Sequence, residues 1–238
     1  MERTRFSLRH ARRAHKALLT LIICAGLLIR PSAALCSCDA VRRVDTEEKW
    51  IALTFDDGPH PTHTPEILDL LREYNVKATF FVVGSNVELC PEITRRTLDE
   101  GHELGNHTYS HANLARKTER ETEDEIGKTA AVLDQLYSYE TTLLRPPGGC
   151  LTSAVSKNLM SLGCTVVLWS VDPRDWAHTK TEKIVKNVRD NVRPGDILLF
   201  HDYISGETHT VEALRILIPE LLRDGYCFVT VSELLAAD

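Results

Sequence analysis

The chain predicts an α/β fold, a single distorted (β/α)7 barrel, and three observations point there. Apolar, β-rich runs alternate with amphipathic helical runs from Lys49 onward, an order that gives parallel strands joined by right-handed crossovers. Polar residues stand at the carboxyl ends of five strands: Asp56-Asp57, His107, Arg145, Asp172 with Asp175, and His201. An open doubly wound sheet gathers its ligand groups at one crevice, whereas a barrel brings every strand end to one mouth. Convergence favours the barrel, and seven strands instead of eight leave it irregular.

Taken in order, residues 1–38 read as a targeting segment. Arg3, Arg5, Arg9, Arg12, Arg13 and Lys16 precede an uncharged core, Ala17–Ile29, and small residues follow at Ser32-Ala33-Ala34. That is the order of a secretory signal peptide, and the apolar run is shorter than the ~20 residues a membrane helix needs. An uncleaved anchor and lipidation at Cys38, in Leu35-Cys-Ser-Cys38, are the competing readings. All three place the domain outside the cytoplasm, with membrane contact only through this segment. Residues 39–48 are polar and read as a linker, and 49–238 as the folded domain.

Within that domain the expected strands are 50–55, 78–83, 103–105, 142–145, 165–171, 196–201 and 227–231. Trp50–Phe55 is short, β-rich and uncharged, and Gly58-Pro59 ends it. The expected helices are Pro65–Tyr74, Pro91–Glu100, Thr118–Tyr137, Ser153–Leu162, Thr181–Asn191 and Val211–Arg223. Gly101, Gly163 and Gly225 follow three of them, where a left-handed residue closes a helix.

Composition excludes several classes. The 238 residues carry a formal charge of −6, but residues 1–38 hold seven basic side chains and one acidic. The remainder has 21 basic against 33 acidic side chains, near −12, which argues against nucleic acid as a partner. Cys90, Cys150, Cys164 and Cys227 are too widely spaced for a zinc knuckle or a dense disulfide scaffold. A monomer is expected.

The chemistry begins with Asp56-Asp57, two carboxylates at the end of a buried strand. Such a pair is costly without positive charge beside it. His107 and His111 lie four residues apart and, in a helix or tight turn, point the same way. With Asp57 they form a two-histidine, one-carboxylate set that leaves coordination positions open. Non-haem iron oxygenases share that ligand set, but the other residues favour hydrolysis. Arg145, fixed before two prolines, can hold Asp56 ionised as a general base. His201 can act as general acid, with Asp175 raising its pKa by pairing with the imidazolium.

Five strings, Thr54-Phe-Asp-Asp-Gly-Pro59, His107-x3-His111, Arg145-Pro-Pro147, Asp172-Pro-Arg-Asp-Trp176 and Leu199-Phe-His-Asp202, resemble the ordered motifs of the polysaccharide deacetylases. These are the NodB-homology domains of carbohydrate esterase family 4, and the resemblance runs from about Trp50 to Leu235. It implies a distorted (β/α)7 barrel that removes acetyl groups from a glycan such as peptidoglycan or a chitin-type polymer. By the same resemblance, Asp57, His107 and His111 hold a divalent metal, usually zinc, with cobalt or nickel admitted by the ligand set. Asp56 would be the base and His201 the acid, supported by Arg145 and Asp175. The metal and the Gly148 amide would hold the oxyanion, and Pro147, Gly148, Trp176 and Leu199 would contact substrate. Most members carry an aromatic where this chain has Gly148, so a roomier subsite near Gly148 and Cys150, with slower turnover, is expected. A pseudoenzyme that binds glycan without cleaving it is the alternative, and the presence of Asp56 and His201 argues against it.

Overall fold

In the computed structural model, which describes residues 40–237, seven parallel strands curl into one barrel wall. They are β1 (Trp50–Asp56), β2 (Thr79–Val82), β3 (Glu103–Asn106), β4 (Leu143–Leu144), β5 (Thr165–Val166), β6 (Ile197–His201) and β7 (Cys227–Val229). The path is β5-β4-β3-β2-β1-β6, with β7 on the amino-terminal half of β1. A parallel bridge between Val171 and Leu198 joins the two ends of the path, so the wall closes as the strand-end pattern predicts. The leader, Cys38 and Asp39 lie outside the described residues.

Helices α1 (His63–Tyr74), α2 (Gly84–Leu89), α3 (Pro91–Asp99), α4 (Glu119–Tyr137), α5 (Ser153–Ser161), α6 (Thr181–Asn191), α7 (Thr210–Arg223) and α8 (Val231–Leu235) complete the chain. Strand alternation sorts β1 between two cores. Ile51, Leu53 and Phe55 face the helices with Leu71, Ile184 and Leu217. Ala52 faces the barrel interior with Phe81, Val167 and Ile197. Thr54 and Asp56 follow Ala52 on that inner face, which carries Asp56 to the mouth. The register pairs Asp56 with His201 on β6.

Four expectations are corrected. The 165–171 run makes a two-residue strand rather than seven, because the carbonyls of Val167 and Leu168 accept from the Arg145 guanidinium. The 227–231 strand stops at Val229, where Thr230 and Glu233 form the capping box of α8, an arrangement that satisfies two orphan helix donors. Helix α2, begun by a glycine, was not expected. The stretch expected as a linker is part of the wall: Val41 bridges to Val167, Arg43 bridges to Asp196, and Val44 is buried.

This strap leans on Gly195, whose φ is +81° and where an added Cβ would lie 1.8 Å from the Val44 carbonyl oxygen. Replacing Gly195 with Ala should therefore lower unfolding stability by more than about 2 kcal/mol in urea denaturation. A loss below about 0.5 kcal/mol would show that the strap contributes nothing to the folded wall.

Candidate active site

Five strand ends, those of β1, β3, β4, β5 and β6, bring the charged residues together. After β1, Asp57 takes φ +78°, an uncommon conformation for a side chain and one that clusters at functional sites. Gly58 follows because the Asp202 carboxylate presses against it: an added Cβ would sit 2.0 Å from Asp202 Oδ2.

After β3 the chain turns rather than coiling into a helix, with Thr108 and His111 at φ +67° and +55°. Asn106 Oδ1 accepts from the Thr108 amide, and the Glu125 carboxylate accepts from the amides of Tyr109 and Ser110. The turn brings the rings of His107 and His111 within 5.2 Å. Both Nε2 atoms meet Asp57 Oδ1, at 3.2 and 3.0 Å.

His107 Nδ1 lies 2.7 Å from the Arg145 carbonyl oxygen. A carbonyl can only accept, so this bond places a proton on Nδ1 and leaves Nε2 as the nitrogen for a ligand. Asp57, His107 and His111 offer ligand atoms within 4.8 Å of one another. The donor set and the fixed tautomer fit a divalent cation. Burial raises the Asp57 pKa, but the His107 and His111 imidazoles beside it outweigh that and hold the carboxyl well below its usual range. Conversely, Asp57 raises His111 against the effect of burial.

Beside this cluster Arg145 is wholly buried. Its guanidinium donates to Asp56 Oδ1 at 2.7 Å, to Thr54 Oγ1 at 2.8 Å and to two β5-side carbonyls, and it lies over the Phe81 ring. Asp56 Oδ2 is 3.8 Å from His107 Nε2. Opposite, His201 Nδ1 donates to Asp175 Oδ1 at 2.9 Å, which leaves Nε2 as its free nitrogen. Asp175 is buried and takes three more donors: the His201 amide, the Trp176 amide and Thr210 Oγ1. Burial would lower the His201 pKa, but the Asp175 hydrogen bond and charge, helped by Asp56 and Asp57, push it up to about 9.

A cavity of about 490 Å³ is lined by Asp56, Asp57, His107, His111 and His201, with Gly148, Trp176 and Leu199 among its walls. Of the residues expected around the substrate, Pro147 alone is not on that lining; it is buried in the turn. Trp169 and Asp172 line it as well. Trp169 gave no signal, because it fell inside a run read as plain strand. Thr210 and Asp202 were also missed. Burial, with the Asp57 and Asp56 charges, pushes Asp202 up to about 7 against its bond from Thr64. At Gly148 an added Cβ would meet nothing within 4 Å, in line with the roomier wall expected there.

A family model for polysaccharide deacetylases matches residues 43–167. The chain belongs to the polysaccharide deacetylase family. It is 46% identical over 194 residues to a peptidoglycan-N-acetylglucosamine deacetylase of Bacillus cereus, covering 81% of this chain and 91% of that protein. It is 42% identical over 188 residues to a chitooligosaccharide deacetylase of Bradyrhizobium, covering 74% and 86%. Among solved structures, the Bc1960 peptidoglycan N-acetylglucosamine deacetylase superposes with a TM-score of 0.78 at 40% identity, over 81% of this chain and 91% of that one. The four cysteines expected in the domain, Cys90, Cys150, Cys164 and Cys227, are free thiols.

Removing one partner of a buried ion pair strands the other charge, at a cost of about 3–5 kcal/mol. Arg145→Met should lose stability on that scale in urea denaturation, and Arg145→Lys most of it, since an ammonium cannot reproduce the fork. Near-native stability in either variant would mean that Asp56 does not depend on this guanidinium.

Proposed function

We propose that the chain is an extracytoplasmic hydrolase that removes N-acetyl groups from an aminosugar polymer, with a divalent cation, most simply zinc, held by Asp57, His107 and His111. One observation carries the reading: a single cavity has a carboxylate oxygen on one side, Asp56 Oδ2, and a proton-bearing imidazole on the other, His201. The relatives' names support an acetylated aminosugar as substrate. The leader-like residues 1–38 support export, and membrane contact through them, by retention or by a lipid on Cys38, belongs to the same proposal.

A bound cation would supply Lewis-acid activation at the reacting carbonyl and its attacking water. The protein supplies the proton traffic. Asp56 Oδ1 is occupied by Arg145, so Oδ2 takes the proton as water oxygen bonds to the acetyl carbon. Charge then develops on the acetyl oxygen. Among the described residues the amides of Gly149 and Cys150 donate within the turn to Pro146 and Pro147, whereas the amide of Gly148, a residue that lines the cavity, has no acceptor. That free donor supports Gly148 as the group that holds the charge. As the carbon–nitrogen bond breaks, His201 Nε2 delivers its proton to the departing amine, giving acetate and a free aminosugar. Trp176 and Leu199 wall the acetyl group. A glycan-binding protein without turnover would need neither Asp56 nor a clamped His201.

Acetate release from N-acetylated peptidoglycan or chitooligosaccharides should vanish on chelation and return with zinc, and Asp57→Ala should lose both release and zinc binding. Release that survives chelation would overturn the metal-dependent reading.

The acid must be protonated, so the rate should fall as pH rises through about 9, the folded value for His201. Asp175→Asn removes the main group that raises it and should move the alkaline limb of kcat/KM downward by about one unit or more. An unmoved limb would show that His201 is not the titrating acid.

A further inference from the structure

Two further cavities have lining residues shared with, or next in sequence to, those of the one just described, and they differ in charge. One, of about 340 Å³, shares Asp57 and His111 with it and is lined by Ser85, Asn86, Ser110 and Tyr203, neutral hydrogen-bonding groups. The other, of about 710 Å³, begins at Gly149, next to Gly148, and is lined by Arg42, Thr152, Ser153 and Lys157. Its lining contains no carboxylate, in a chain with 34 acidic side chains against 28 basic. Arg42 and Lys157 are exposed, and among the described residues neither forms an ion pair. Acidic surface elsewhere does neutralise its cations, as Arg72, Arg96 and Arg189 show.

The two cavities meet neighbouring residues of one turn, Gly148 on the reacting side and Gly149 on the cationic side. The Gly148 position opens onto empty space, and Gly149 lies so close to Trp169 that an added Cβ would be 2.8 Å from its ring. The Trp169 ring that lies against Gly149 also lines the reacting cavity. Arg42 reaches the cavity because the strap at 41–44 is built into the wall.

We propose that the Arg42–Lys157 cavity is a subsite for an acidic substituent, carboxylate or phosphate, carried on the glycan beside the sugar being deacetylated. The inference rests on the glycan-deacetylase reading above, and it divides substrates within that reading. Neutral sugar fits the Ser85–Tyr203 side, and a charged substituent fits the Gly149 side. A polymer bearing acidic groups next to the reacting acetamide is held at both ends, and an uncharged chitin-type chain at one.

The test is equilibrium binding by the full chain, with chelator present so that turnover does not compete. The probes are a muropeptide with free carboxylates, the same muropeptide fully amidated, and a chitooligosaccharide with or without a 6-O-phosphate. The acidic forms should bind about five- to tenfold more tightly than their neutral counterparts at low ionic strength, a preference that shrinks with salt. In Arg42→Gln/Lys157→Gln the preference should vanish while affinity for the neutral probes stays unchanged. Preference for the carboxylate probe alone or for the phosphate probe alone would identify which group the subsite takes. Equal affinity of the wild type for acidic and neutral probes, or a preference that persists in the double variant, overturns the proposal. Failure of the proposed activity reads out separately, as no acetate release from any probe once zinc is restored.

Discussion

Arg145 enters the barrel interior with no exposed surface, and both ends of the residue are committed. Its guanidinium holds Asp56 and Thr54 and takes the carbonyls of Val167 and Leu168. Its own carbonyl takes the Nδ1 proton of His107. Asp56 and His107 are therefore both set by one residue, the one directly after the two-residue strand β4. A buried guanidinium is a poor way to gain stability, because its desolvation offsets much of its Coulomb energy. It is an effective way to fix geometry, since each donor accepts only one direction. The diverted strand after Val166 follows from this constraint: carbonyls that would have continued a ladder point at Arg145 instead.

The two sides of the cavity are built by the same device with opposite charge. On one side a buried cation holds a carboxylate; on the other a buried carboxylate, Asp175, holds an imidazole with four donors arranged around it. Between them Asp57 and His111 sit in left-handed backbone conformations that a free chain would avoid. The barrel supports that strain through its surroundings: the apolar outer face of β1 packed on the helices, and Asp202 with Thr64 behind Gly58.

Much of this was legible before any coordinates. Asp56-Asp57 at a strand end, the His107–His111 spacing and Arg145 before two prolines each carry their chemistry in residue type and position, and the structure gathers them around one cavity. The strap at 41–44 was not legible, because polar composition describes a barrel-edge segment as well as it describes a linker. Helix α8 was signalled by Thr230 and Glu233, yet the apolar run around Phe228 outweighed that signal. Trp169, Thr210 and the cations Arg42 and Lys157, unpaired among the described residues, had no local pattern at all; their meaning lies in what surrounds them.

By itself the sequence determined the α/β alternation, the end of the barrel that carries the polar residues, and the kinds of chemistry those residues can perform, because periodicity and side-chain type are local properties. Only the tertiary structure decided which oxygen of Asp56 is free, which nitrogen of His107 faces Asp57, and that a cavity with two cations begins one residue beyond Gly148. Those are matters of direction and distance between segments far apart in the chain, and they are fixed only when the barrel closes.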